Sequence, residues 1–207
     1  MIEIVKPMDI EKRSFEIITE LLGDRRLDPE TEPVVKRVIH TTADFDYADS
    51  LHFSEHAVRR GVEALRAGCD IVTDTQMARS GINKTILSCL GGQVHCFMSD
   101  ADVAEEARER GVTRAIVSME RAANLKKPCI FAIGNAPTAL LALRELMDAG
   151  RVSPALIVGV PVGFVNVVES KETIIASGAP CIVARGRKGG SNVAAAICNA
   201  MLYQIER

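Results

Sequence analysis

Two periodicities divide the chain. In the N-terminal third, apolar residues recur three and four positions apart, the spacing of one helix face. The stretch from Asp9 to Leu22 predicts a first helix, with Asp9 as its cap and Gly23 as its stop. "DPETEPVVKRVIH" predicts a second, with Asp28 as N-cap and Pro29 in the first helical position. A third is predicted from Ser54 to Ala67, ended by Gly68.

Beyond Gly68 the pattern turns to short apolar runs without alternation: "CDIVTD" (69–74), "QVHCFM" (93–98), "CIFAIG" (129–134), "ALIVGV" (155–160) and "CIVARG" (181–186). Helical segments separate them. Runs of this kind belong to strands covered on both faces, as in a parallel sheet. They predict an α/β fold, a single domain over residues 1–207 with a mostly parallel five-stranded sheet flanked by helices and a helical N-terminal third. No Pro-, Gly- or Ser-rich linker divides it.

In open parallel sheets, ligands bind beyond the carboxyl ends of the strands. The segments "TDTQM", "MSD", "GNAPT", "GVPVGF" and "ARGRKGGSN" fall there. The last sets Arg185, Arg187 and Lys188 among Gly186, Gly189 and Gly190, just before a helix that Ser191 or Asn192 caps. A cationic glycine loop at a helix N-terminus suits an anion; a solvated turn with capping glycines is the other reading. In "GNAPT", Asn135 and Thr138 either donate hydrogen bonds to a ligand or shape a turn before an apolar helix that starts at Pro137.

Composition narrows the chemistry. Hydrophobic residues make up 47% and charged residues 25%, as in an ordinary globular chain. A net charge of −2 argues against a general polyanion binder, and 4% aromatics without Trp leave little to stack on bases. Nucleic acid is therefore excluded as a partner. Neither G-x-G-x-x-G nor G-x-x-x-x-G-K-[ST] occurs, which removes the main support for a nucleotide. "HFSEH", His52 to His56, matches H-x-x-E-H. With Ser54 as a cap, however, His52 falls in the preceding loop and no third ligand is evident, so no metal is expected. The six cysteines show no C-x-x-C spacing and several lie beside apolar runs, where a thiol packs as a small hydrophobe. The absence of a secretory-type leader and of a bilayer-length apolar run predicts a cytoplasmic protein with no membrane partner.

One histidine stands out. Val34, Val35, Val38 and Thr42 share a face of the second helix, whereas His40 points elsewhere, near Lys36, Arg37, Ala43 and Asp44. A lone histidine at a helix end is either structural or a group placed to exchange a proton near neutral pH.

Taken together, "RSFEII" (13–18), "RVIH" (37–40), "AIGNAPTAL" (132–140), "GVPVGFVNVVESK" (159–171) and "ARGRKGGSN" (184–192) resemble, in order and spacing, the precorrin-8X and cobalt-precorrin-8 methylmutase family of cobalamin biosynthesis. "TTADFDYAD" matches less tightly. The resemblance implies an isomerase that moves a methyl group from carbon 11 to carbon 12 of a corrin-type ring, giving hydrogenobyrinate or cobyrinate. It implies a single α/β domain, no cofactor, and a homodimer with its active site near the subunit interface. The family's catalytic histidine falls on His40, which suits a general acid toward a ring nitrogen. Its substrate-contacting serine falls on Ser14, and a basic residue in "VTRAIV" falls on Arg114. Arg185, Arg187 and Lys188, with the backbone of Gly189 and Gly190, would then hold carboxylates on the rim of the corrinoid. Two readings from other classes are a tetrapyrrole carrier without catalysis and a nucleotide-dependent oxidoreductase.

Overall fold

A computed structural model describes residues 6–206. Residues 1–5 and 207, which the single-domain expectation also includes, lie outside the described residues. The strands are β1 (Leu51–Phe53), β2 (Asp70–Thr73), β3 (Val94–His95), β4 (Cys129–Ile133), β5 (Leu156–Gly159) and β6 (Cys181–Ala184). They form one sheet in the order β1-β6-β5-β4-β2-β3. All neighbours are parallel except β1, which runs antiparallel along the outer edge of β6.

Every residue of β2, β4, β5 and β6 is buried, because alternate side chains enter different cores. Ile71, Ile130, Ala132, Leu156, Val158 and Ile182 face one layer. That layer contains α1 (Ile10–Leu22), α2 (Glu32–Thr42), α4 (Ala57–Arg66), α5 (Gln76–Gly81), α6 (Lys84–Cys89) and α11 (Ser191–Glu206). Val72, Phe131, Ile133, Ile157 and Val183 face the other, built from α8 (Arg114–Ala122), α9 (Pro137–Asp148) and α10 (Val167–Ala176). The helix α7 (Ala101–Arg110) packs on α8 through Val103, Ala107 and Val117. This double coverage is why the strands read as continuous apolar runs.

The expected strands are present, and β1 is a sixth. It follows the single turn α3 (Tyr47–Ser50) and pairs Leu51 with Ala184 and His52 with Val183. His52 therefore lies in a strand, not in a loop. The third helix starts at Ala57 rather than Ser54, because Ser54 is bound to β6 instead. Its hydroxyl oxygen accepts the Cys181 N–H at 2.9 Å, and its own N–H donates to the Cys181 carbonyl at 2.9 Å. The second helix likewise starts later than Pro29, at Glu32. Asp28 spends its carboxylate on the Glu30 N–H (2.8 Å) in a preceding turn, and Pro33 takes the first helical turn. In α11 both proposed caps, Ser191 and Asn192, are already helical; Gly190 stands before them, its carbonyl accepting from the Ala194 N–H at 3.0 Å.

The first helix runs as predicted from Asp9 to Gly23, whose φ of +59° ends it, although the Asp9 side chain makes no capping bond. The cysteines are all free, and five of them are buried. Burial pushes Cys129 up to about 11, and Cys69 and Cys198 up to about 12.

Chain order positions the site. From β2 the chain moves outward to β3, then returns to place β4 on the other side of β2. A doubly wound sheet opens its ligand crevice at such a reversal, here between the carboxyl ends of β2 and β4.

Candidate active site

The crevice between β2 and β4 already holds an anion belonging to the chain. Asp74, 1% exposed, follows β2 and accepts three backbone N–H groups from the turn after β4. Gly134 donates to Oδ1 at 2.8 Å, while Asn135 and Ala136 donate to Oδ2 at 2.8 and 2.6 Å. Burial pushes the Asp74 carboxyl upward, and the three donors oppose that shift. Nucleotide-binding folds present such donors to a phosphate; here a carboxylate consumes them. The turn is shaped to carry Asn135, exposed, and Pro137, the first residue of α9. Gly134 has no room for a side chain, since a Cβ would lie 2.7 Å from the Ser191 Cα. The start of α11 thus sits directly on the Asn135 turn, and the Ser191 hydroxyl lies 2.7 Å from that of Thr75.

Next along the sheet edge, the loop after β6 is tied down from beneath. Lys171 of α10, wholly buried, donates to the carbonyls of Gly186 and Lys188, both at 2.8 Å. Gly163 donates its N–H to the Arg187 carbonyl (3.2 Å), and Gly190 donates to the Val160 carbonyl (2.9 Å). A Cβ on Gly189 would lie 2.1 Å from that same Val160 oxygen, so only glycine permits this approach. The basic side chains point outward with different fates. Arg185 Nε is 3.5 Å from Glu172, and Lys188 Nζ is 2.6 Å from both Asp44 and Asp46. These carboxylates push the Lys188 ammonium well above its usual range. Arg187 is exposed and pairs with no carboxylate among the described residues.

His40 occupies the last turn of α2, exposed, its ring stacked on Phe15 of α1 at 5.3 Å and 11°. Ala43 ends the helix in the left-handed region, and Asp44 and Asp46 follow it to reach Lys188. Ser14 precedes Phe15 and donates its hydroxyl to the Ile10 carbonyl at 2.9 Å. On helical spacing Ser14 shares a face with Ile10, Ile17 and Leu21, which are 53%, 37% and 66% exposed. Arg37 lies over Phe15 at 4.8 Å and over Tyr203 at 5.0 Å, lining a cavity of about 540 Å³ between α1, α2 and α11. That cavity adjoins His40 through Phe15. In the loop after β5, Val162, Phe164 and Val165 are 46%, 84% and 78% exposed.

The family model for precorrin-8X methylmutase matches residues 9–204. The cobalt-precorrin-8 methylmutase of Salmonella typhimurium is 48% identical over 98% of this chain and 97% of its own length. That of Priestia megaterium is 46% identical over 95% of this chain and 88% of its own. This chain belongs to the precorrin-8X methylmutase family. The crystal structure of a precorrin-8X methylmutase from Thermus thermophilus has the same fold, with a TM-score of 0.88 at 38% identity, covering 96% of this chain and 98% of that one.

Within that methylmutase fold, the residues singled out from sequence fall into two linked groups. His40, with Ser14 one residue from its stacking partner, reaches the Arg185–Gly190 loop through Lys188 and its two aspartates. Asn135 and Thr138 join the same loop from the other side, through the packing of Gly134 on Ser191. Thr138 meets Thr113, hydroxyl to hydroxyl, at 3.0 Å, and Thr113 caps α8 immediately before Arg114. Arg114 itself is exposed and lines the cleft between α7 and α8 with Arg108 and Val112. The H-x-x-E-H histidines are not on one helix: His52 is in β1, and His56 precedes α4 with φ +54°. Among the described residues no group of three or more His, Cys, Asp or Glu could hold a metal.

Asp74 and Lys171 went unremarked in the motifs. Each carried a signal: Asp74 is a carboxylate directly after a buried strand, and Lys171 is a lysine on the covered side of an apolar helix. A buried charge in either place demands partners.

Proposed function

We propose that this chain is an isomerase of corrin-ring biosynthesis, moving a methyl group from carbon 11 to carbon 12 of cobalt-precorrin-8 or precorrin-8X to give cobyrinate or hydrogenobyrinate. The observation that carries the reading is a family match from residue 9 to residue 204 that takes in the His40 helix end and the loop its neighbours hold. Cobalt-precorrin-8 is the preferred substrate. The compared relatives at 48% and 46% identity are named for the cobalt form, whereas between 38% and 40% both names occur. Cobalt is here part of the substrate.

A methyl shift around a conjugated ring is a rearrangement within one molecule, so the protein's task is to hold the ring and favour its reactive tautomer. His40 donates a proton or hydrogen bond to a ring nitrogen, and Phe15 fixes its imidazole plane. Arg187, which pairs with no carboxylate among the described residues, engages an acetate or propionate of the rim, where a guanidinium binds two oxygens at once. Asn135, Thr138, Arg114, Ser14 and the backbone of Gly189 complete the contacts; Gly190, expected from sequence to join them, instead donates its N–H to the Val160 carbonyl and accepts the Ala194 N–H, and so shapes the loop. Arg185 and Lys188 contribute charge while already paired.

The working form is a homodimer. The Ile10, Ile17 and Leu21 stripe beside Ser14 and the exposed Phe164 and Val165 are apolar surfaces that a second copy would cover. The location is cytoplasmic, a reading supported by the unpaired cysteines. No helix among the described residues is long and apolar enough to cross a membrane. Purified protein mixed separately with the two substrate forms and followed by ultraviolet–visible spectroscopy tests the assignment. Conversion, faster for the cobalt form, supports it. Tight binding of product with no conversion of either form would make the protein a carrier, and sedimentation equilibrium giving a monomer would remove the shared interface.

A further inference from the structure

Lys171 is buried completely, a state lysine adopts only with compensating partners. No carboxylate pairs with it among the described residues. Its partners are two backbone carbonyls, Gly186 and Lys188, each at 2.8 Å. The carbonyl between them, that of Arg187, receives the Gly163 N–H at 3.2 Å. Three consecutive carbonyl oxygens are therefore turned inward and satisfied, two of them by a cation. The loop surface that remains offers the Arg187 side chain and no peptide oxygen from these three residues. For an anionic ligand the distinction matters, because a free carbonyl oxygen repels a carboxylate that the neighbouring guanidinium attracts.

We propose that Lys171 is a positioning residue for substrate binding: its buried ammonium grips the loop on both sides of Arg187, withdraws two carbonyl oxygens from the site, and so presents Arg187 to the rim carboxylates of the corrinoid. The proposal rests on the methylmutase reading and adds to it a residue that does not touch substrate. Nearby charges do not substitute for this grip. Glu172, on the same helix, is engaged with Arg185; Asp44 and Asp46 hold the outward Lys188 ammonium; and on α9, Arg144 is held by Asp148 and the Thr173 carbonyl. Burial, with no carboxylate to offset it, pushes the Lys171 ammonium down to about 8.

The test is hydrogenobyrinate binding and steady-state turnover in the full chain carrying Lys171→Met, which keeps the apolar stem. Loss of an ordered charge-assisted contact should weaken product binding and raise KM by about tenfold or more, with kcat changed by less than about threefold. Arg187→Met should cost much less in the Lys171→Met background than in the parent, since Lys171 acts through that side chain. Unchanged binding, or two losses that simply multiply, overturns the proposal. Amide exchange in the ligand-free protein separates this from the methylmutase reading. Residues 186–190 should lose protection in Lys171→Met while β4 and β5 keep theirs, and unchanged loop exchange overturns the proposal whatever the corrinoid does. If Lys171→Met does not fold, selectively 15N-labelled lysine in the unaltered protein serves. One ammonium protected from solvent exchange by its two carbonyl bonds and shifting on product addition supports the proposal, and none doing so overturns it.

Discussion

Lys188 lies 2.6 Å from Asp44, a residue 144 positions earlier in the chain. That ion pair, with its companion to Asp46, joins the end of the His40 helix to the glycine loop. Two surfaces legible separately in the sequence are thereby placed side by side. The pair lies in solvent, so its value is geometric rather than a large share of the stability.

Replacing Lys188 by Met should therefore leave the melting temperature essentially unchanged. It should still weaken product binding several-fold, because Asp44 and Asp46 would face the substrate carboxylates uncompensated. Calorimetry beside a spectroscopic titration checks both halves. A large loss of stability with unaltered binding would assign the pair to the fold alone.

Asp74 gives a prediction of the opposite kind. Asn at this position keeps the shape but turns an amide N–H₂ toward N–H donors that need an acceptor. With Gly134, Asn135 and Ala136 all bonded to the carboxylate, Asp74→Asn should cost about 2–4 kcal/mol of stability. Product affinity should fall with it, as the Asn135 turn loosens. Urea denaturation showing less than about 0.5 kcal/mol of change would mean that the three bonds contribute little.

Lys171 predicts a pH dependence whose sign is easily mistaken. Below about pH 8 the ammonium is charged in the folded and unfolded chains alike, and its burial opposes folding in full. Between about 8 and the unfolded value of 10.5 the folded chain releases the proton first, so stability rises with pH across that window. The rise contributed by this residue is at most ~3 kcal/mol. Urea denaturation of parent and Lys171→Met between pH 7 and about 10.5 isolates it by difference. The difference should climb in favour of the parent; a flat or falling one contradicts the burial of this ammonium.

How much could be read beforehand follows from how local each determinant is. The central strands were legible because burial on both faces leaves a continuous apolar run in the sequence itself. The strand β1 was not, since three residues with His52 at the centre show no run, and only the open edge of β6 makes them a strand. The starts of α2 and α4 were misplaced for a related reason. Asp28 and Ser54 are good caps in isolation, but Asp28 is consumed in a local turn and Ser54 by Cys181, 127 positions away. In the site, the glycine loop and the Asn135 turn were evident from their places after buried strands. What the cations pair with was not, because Glu172, Asp44 and Asp46 come from segments that only the fold brings near.

The central claim is that His40 supplies the proton-donating group of a methylmutase, and one comparison tests it most directly. Turnover of cobalt-precorrin-8 by the parent and by His40→Ala should be followed in the same spectral assay, with product binding measured alongside. A positioned general acid is worth ~10²–10⁴ in rate. The expected result is a loss of that size in the variant, with product affinity close to the parent's. Turnover by His40→Ala at near the parental rate would contradict the account.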